Sequence, residues 1–167
     1  GEHKNFLELT EKEYYELKKF TENNNLYFSA SGWDEESIDF LLKLDVPFFK
    51  MASADLSNFP LLEHTAKTKK PIILSTGMSN IDLVENAVKL ISKYNTNIAI
   101  MQCTSTYPVQ FNEINLNVIS TYLKLFPNSI IGYSGHELGI SLLTKEEDII
   151  PIKTSEIKLI AKRVFTI

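Results

Sequence analysis

Short apolar runs alternate with stretches of helical spacing along most of this 167-residue chain. The runs Leu26–Ala30, Pro47–Ala52, Pro71–Ser75, Asn97–Cys103 and Ser129–Tyr133 predict strands. Each is rich in Ile, Phe, Tyr or Leu and mostly apolar on both faces, as strands buried in a parallel sheet must be. Between them, Leu83, Val84, Ala87, Val88, Leu90, Ile91 and Tyr94 form one helical stripe, which Ser79 can cap with Asp82 three residues on. Asp34 likewise predicts the cap of a helix through Leu44. A weaker helix is expected from Leu116 to Phe126, stopping before Pro127. Glu11 to Asn23 predicts another, ahead of the first strand.

Strands and helices alternating at this spacing predict βαβ units, a parallel sheet and an α/β fold. Periodicity alone leaves an open doubly wound sheet and a closed barrel both standing. A hydrophobic share of 44% and a charged share of 23% are ordinary for a globular domain, so composition does not disturb that reading. A net charge of -4, with no run of Lys and Arg, leaves no footprint for nucleic acid. The longest apolar runs are far shorter than a membrane span, and the start lacks a signal-peptide pattern. The single cysteine, Cys103, excludes an internal disulfide framework and fits a reducing compartment, so a cytoplasmic location is expected. Because it begins at Gly1 rather than Met, the chain is expected to be a piece of something longer, or a trimmed product.

The chemistry-bearing residues gather at the carboxyl ends of the expected strands. The first ends Ser29-Ala30-Ser31-Gly32, and the second carries Lys50 and ends Ser53-Ala54-Asp55. The third ends Ser75-Thr76-Gly77, the fourth Gln102-Cys103-Thr104-Ser105-Thr106-Tyr107-Pro108, and the fifth Tyr133-Ser134-Gly135-His136-Glu137. Parallel strands bring these ends to one rim, where ligand sites are built. Taken singly, each Ser, Thr or Gly reads as a helix cap or turn residue. Five consecutive strands delivering hydroxyls, an amine and an imidazole favour a site for a phosphorylated, oxygen-rich ligand.

Lys50 is the most informative single residue. Within Pro47-Phe48-Phe49-Lys50-Met51-Ala52 a buried ammonium is costly without a counter-charge. Either it is an edge-strand lysine snorkelling to water or an interior lysine partnered by a ligand phosphate or carboxylate, and the second is favoured. Spacing alone makes His136 a structural or solvated side chain, since no second His lies at local metal-motif spacing. Cys103 reads as a packing residue rather than a nucleophile. Tyr107, before Pro108, is either a turn aromatic or a ligand contact.

Together these segments resemble the N-acetylneuraminate (sialic acid) synthase family. The matching stretches are Gly1-Glu2-His3-Lys4, Phe28-Ser29-Ala30-Ser31-Gly32, Pro47-Phe48-Phe49-Lys50 through Asn58-Phe59-Pro60, Ser75-Thr76-Gly77-Met78, Gln102 through Pro108, and Ile131 through Glu137. The Phe-Ser-Ala-Ser-Gly and Tyr-Ser-Gly-His-Glu wording is closest to the animal-type enzymes, which use N-acetylmannosamine 6-phosphate. The resemblance implies a (β/α)8 TIM barrel, here incomplete at about strands three to seven, over residues 1–142. It implies that Ser31, Lys50, Ser53, Ser105, Tyr107 and Ser134 hold phosphoenolpyruvate, that Asp55 lies near the sugar, and that His136 binds a divalent metal, Mn2+ or Mg2+. Lys50 and His136 are then the residues expected to carry catalysis. The implied reaction condenses phosphoenolpyruvate with N-acetylmannosamine or its 6-phosphate, the metal polarising the sugar's aldehyde.

The chain also departs from that family. The segments for barrel strands one and two are missing, and residues 143–167 form a divergent tail without a strand-eight histidine. There Ile157, Ile160, Ala161 and Val164 make a short amphipathic stripe, expected to be helical. Five parallel strands cannot close, so the isolated chain is expected to be poorly stable or self-associating, for instance as a homodimer, with little or no turnover. Two other readings stand beside the first: a different phosphoenolpyruvate-condensing synthase, or a non-catalytic fragment that binds ligand or a full-length synthase.

Overall fold

The computed structural model describes residues 9–138. The Gly1-Glu2-His3-Lys4 stretch and the tail of 143–167 lie outside the described residues. Helix α1 (Glu11–Asn23) starts at a reciprocal cap. The Glu13 N–H donates to the Thr10 hydroxyl (3.4 Å) and the Thr10 N–H donates to the Glu13 carboxylate (2.7 Å). Helix α2 (Glu35–Lys43) is capped as expected, the Ser37 N–H donating to Asp34 Oδ1 at 2.7 Å. There follow β1 (Phe49–Met51), a 3-10 turn (Ser53–Asp55), α3 (Phe59–Lys67), β2 (Ile72–Ser75) and α4 (Ile81–Ser92). Strand β3 (Ile98–Cys103), a 3-10 turn (Phe111–Glu113), α5 (Asn117–Leu125) and β4 (Ile130–Ser134) complete the order.

Two expectations about helices change. The helix α3 has no counterpart among the expected helices, although its nine residues equal the length of α2 and α5. Its start is nevertheless conventional, with Asn58 as cap and a proline in the first turn. In α4 the cap is Asn80, whose Oδ1 accepts from the Leu83 N–H at 2.9 Å. Ser79 instead donates its hydroxyl to the Thr76 carbonyl at 2.5 Å, folding back onto the end of β2.

The four strands form one parallel sheet in sequential order, β1-β2-β3-β4. The crossovers through α3, α4 and α5, right-handed by the general rule for parallel strands, place those helices on one face. That face carries the core: Phe49, Met51, Ile72, Leu74, Ile98, Ile100 and Ile131 pack with Leu62, Val84, Ala87, Ile91 and Ile119 from the helices. Each fully buried Leu or Ile there contributes about 1.5–3 kcal/mol. A doubly wound sheet reverses its order partway and carries helices on both faces. Unbroken order with one-sided helices is instead an arc of a (β/α) barrel. The opposite face carries the register row Lys50, Ile73, Ala99 and Ile130, followed by Ser75, Met101 and Gly132, and then by Cys103 and Ser134. In a closed barrel these rows fill the interior in layers.

The run Leu26–Ala30 is not a strand. Its backbone joins no ladder, and its link to β1 is a side chain: the Ser29 hydroxyl donates to the Phe48 carbonyl at 2.7 Å. That hydroxyl takes the carbonyl a strand's N–H would use, and Pro47 has no N–H to offer in return.

Candidate functional site

Because all four strands run the same way, β1 through β4 end on one rim, and a hollow of about 250 Å³ opens there. Lys50, Ser53, Ser105, Tyr107, Ser134 and His136 all line it, although they are spread over 87 residue numbers of the chain. The structure adds Ser75, which sequence reading had left as a strand end. Its signal was register: Ser75 lies two residues past Ile73, the partner of Lys50, so both project to the same face.

The Lys50 ammonium is half-buried. It donates to the Ser75 hydroxyl at 2.6 Å and to the Met51 carbonyl at 3.3 Å. Among the described residues no carboxylate pairs with it. Burial pushes its pKa below the ordinary lysine value, while the nearby Cys103 sulfur pulls weakly the other way. A partly desolvated cation with two neutral acceptors and no counter-charge among the described residues has electrostatic capacity left over for an anion.

The hydroxyls are held by close backbone approach. The Gly77 N–H donates to Ser53 Oγ at 2.9 Å, tying the β2 loop to the β1 loop. A Cβ at residue 77 would lie 2.2 Å from Ser105 Oγ, 2.9 Å from Ser53 Oγ and 3.3 Å from the Cys103 carbonyl, so a side chain there would push both hydroxyls aside. Below them Tyr122 of α5 donates its phenol to Thr76 (2.9 Å), and Thr76 donates to the Met101 carbonyl (3.0 Å), anchoring the end of β2.

His136 sits at the far side, after β4. Its Nδ1 is 2.8 Å from the Thr104 carbonyl, which accepts only if Nδ1 carries the proton, so Nε2 is left as the basic nitrogen. The Cys103 sulfur is 3.9 Å from the same Nδ1, and the Tyr107 ring covers the imidazole with centroids 4.0 Å apart. Cys103 is buried yet lines the hollow, so it both packs and faces the site. Tyr107, the residue with two readings, lies at the mouth, 74% exposed.

Ser31 and Asp55 do not line the hollow. Asp55 is buried in the turn after β1 with Oδ2 unpartnered, and burial raises its pKa. The donor set for a metal is incomplete in this part of the chain. His136 offers one nitrogen, the Glu137 carboxylate is engaged by the Tyr133 phenol at 2.8 Å, and no three His, Cys, Asp or Glu side chains converge among the described residues. Among the described residues no helix is long and apolar enough to cross a membrane.

An arc of a parallel (β/α) barrel, with an ammonium that has no carboxylate partner among the described residues, four serine hydroxyls and an imidazole at the strand ends, defines a barrel-type protein with a polar, cationic hollow at its rim. Comparison with known proteins agrees with that class and narrows it. The chain belongs to the NeuB family, whose sequence profile matches residues 1–145. It is 47% identical over 142 residues to the N-acetylneuraminate-9-phosphate synthase of Homo sapiens, a match covering 85% of this chain and 40% of that protein. In three dimensions it is similar to the N-acetylneuraminic acid (sialic acid) synthetase of Leptospira borgpetersenii, crystallised in complex with citrate. There the TM-score is 0.78 at 32% identity, covering 81% of this chain and 47% of that one. A phospho-2-dehydro-3-deoxyheptonate aldolase of Thermotoga maritima shares the fold, with a TM-score of 0.53 at 14% identity. The chain thus spans about 40% of the length of the human relative it matches.

Proposed function

We propose that this chain supplies the phosphoenolpyruvate-binding side of a sialic-acid-synthase-type active site. The reaction joins phosphoenolpyruvate to N-acetylmannosamine or its 6-phosphate, giving N-acetylneuraminate or its 9-phosphate. The observation that carries this reading is the convergence of Lys50, Ser105, Ser134 and His136 on one hollow from three different strand ends. Family membership and the similarity to a human N-acetylneuraminate-9-phosphate synthase support it.

In this reading Lys50 neutralises the phosphate or carboxylate of phosphoenolpyruvate through charge-assisted hydrogen bonds. Ser53, Ser75, Ser105 and Ser134 complete the anion's shell and orient the enol so that its C3 faces the acceptor aldehyde. A bond forms between C3 and the aldehyde carbon, water adds at C2, and the phosphate leaves as inorganic phosphate. Ser31 and Asp55 are assigned to the outer part of the site, Asp55 toward the sugar. Tyr107 covers the mouth and holds the His136 ring.

His136 Nε2 is proposed as one ligand of a divalent ion, Mn2+ or Mg2+. The described residues by themselves do not complete such a centre, so the steps above run through the chain's own groups. A cytoplasmic location fits the free, buried Cys103. The test is titration of the full chain with phosphoenolpyruvate, followed by assay for product with the aminosugar and Mn2+. Failure of phosphoenolpyruvate to bind overturns the proposal. Binding without turnover is the outcome favoured by the open sheet, and makes the chain a ligand-binding form of the site.

A further inference from the structure

Three exposed apolar side chains surround the polar floor of the hollow: Trp33, 60% exposed, Met78, 71%, and Tyr107, 74%. Tyr107 is accounted for by its stacking on His136. Trp33 and Met78 have no such role. Trp33 precedes the Asp34 cap of α2, and Met78 follows β2. Met78 is held at φ 59°, a left-handed conformation costing a side-chain-bearing residue about 1–2 kcal/mol, and it displays its thioether to solvent at the mouth. Two large apolar groups at the lip of a site with an ammonium and four hydroxyls ask for a ligand with an apolar part.

Phosphoenolpyruvate has little to offer them, being a phosphate and a carboxylate on a two-carbon enol. The second substrate in the proposed reaction is a polyol whose one apolar substituent is its N-acyl group. We infer that Trp33 and Met78 form the apolar wall that receives the N-acyl group of the acceptor, and that Trp33 sets how large an acyl group the site takes. The inference rests on the proposed function and deepens it. A flat indole that is 60% exposed gains contact as the acyl chain grows, because most of its surface is left open by the described residues. Affinity should therefore rise about fourfold for each added methylene, the ratio that about 0.8 kcal/mol per buried CH2 produces.

Trp33 is the sole tryptophan of the chain, so its fluorescence reports this wall alone. The full chain, loaded with phosphoenolpyruvate, is titrated with N-acetyl-, N-propanoyl- and N-butanoylmannosamine and their 6-phosphates, by calorimetry and by emission. Aminosugar binding should shift the emission to the blue, with affinity climbing about fourfold per methylene. In W33A and M78A the climb should flatten while phosphoenolpyruvate binding, measured separately, stays within twofold. Both side chains are exposed, so these variants should fold, and W33F keeps an aromatic and should retain part of the climb. A flat acyl series in the wild-type chain, equal series in wild type and W33A, or unchanged emission on saturation overturns the inference while leaving phosphoenolpyruvate binding intact. Absence of phosphoenolpyruvate binding instead overturns the proposed function beneath it.

Discussion

Replacing Lys50 by methionine should separate ligand binding from folding, because the two respond to different properties of the ammonium. In the ligand-free chain that charge is half-buried, bonded only to a serine hydroxyl and a carbonyl, with no carboxylate beside it among the described residues. Methionine keeps most of the aliphatic stem and removes the charge. The loss of its charge-assisted hydrogen bond to Ser75 costs about 1.5–3 kcal/mol, and relief of the desolvated charge offsets this. Net stability should change by less than about 1 kcal/mol, a shift within about 2–4 °C in Tm for a chain of this size. Ligand binding has no such compensation. A hydrogen bond from a charged donor to an anion contributes about 1.5–3 kcal/mol, so K50M should bind phosphoenolpyruvate about 10- to 150-fold more weakly. Isothermal titration with phosphoenolpyruvate, paired with thermal melts of both proteins without ligand, reads the two effects together. Unchanged affinity, or a fall of more than about 10 °C in Tm, would show Lys50 to be a structural group and refute the reasoning.

Four further outcomes are expected. Since burial lowers the Lys50 pKa, affinity for phosphoenolpyruvate should decline as pH rises toward, and before, the ordinary lysine value of about 10.4. Ligand-free stability should rise over the same window, where the unfolded chain binds more protons, and a titration series from pH 7 to 10 with K50R as control checks both. Burial raises the Asp55 pKa, so the folded chain holds that proton longer and stability should fall as pH climbs from about 3.9 through the raised value. D55N should remove that slope and gain about 1 kcal/mol at neutral pH, and a loss there by denaturant titration would mean the carboxylate has a partner. G77A should displace the Ser53 and Ser105 hydroxyls and weaken phosphoenolpyruvate binding at least about tenfold, with little change in Tm because the crowding atoms are ends of rotatable side chains. The edge strand β4, where Ile130 is 38% exposed while its row partners Ile73 and Ala99 are buried, should drive self-association; sedimentation showing a monomer at all concentrations would contradict this.

The elements with their own local chemistry were readable in the residues. Helix α1 follows its capping box, α2 follows Asp34, and α4 follows a full apolar stripe, of which Val84, Ala87, Val88 and Ile91 are buried. The strands β1 to β4 were readable as apolar runs because a parallel sheet sandwiched between helices and a barrel interior offers water to neither face. The short α3 was not, nor the shift of the α4 cap from Ser79 to Asn80, because both depend on which of several adequate local residues the neighbouring loop leaves free. The first expected strand failed for a related reason: nothing in Leu26–Ala30 announces that the Ser29 side chain, rather than the backbone, will meet Phe48.

By itself the sequence determined the alternation of strand and helix, the rim on which hydroxyls, Lys50 and His136 fall, and a family resemblance later matched over residues 1–145. Periodicity left an open sheet and a barrel arc both standing; the resemblance implied the barrel, and the strand order of the tertiary structure agrees, since order is a property of pairing and not of periodicity. Only the tertiary structure decided that Ser75 is the group bonded to Lys50, that a side chain at Gly77 would crowd the Ser53 and Ser105 hydroxyls, and that Ser31 and Asp55 do not line the hollow. Register and through-space distance belong to the packed sheet, where residues 25 apart in the chain become neighbours, and a linear pattern carries neither.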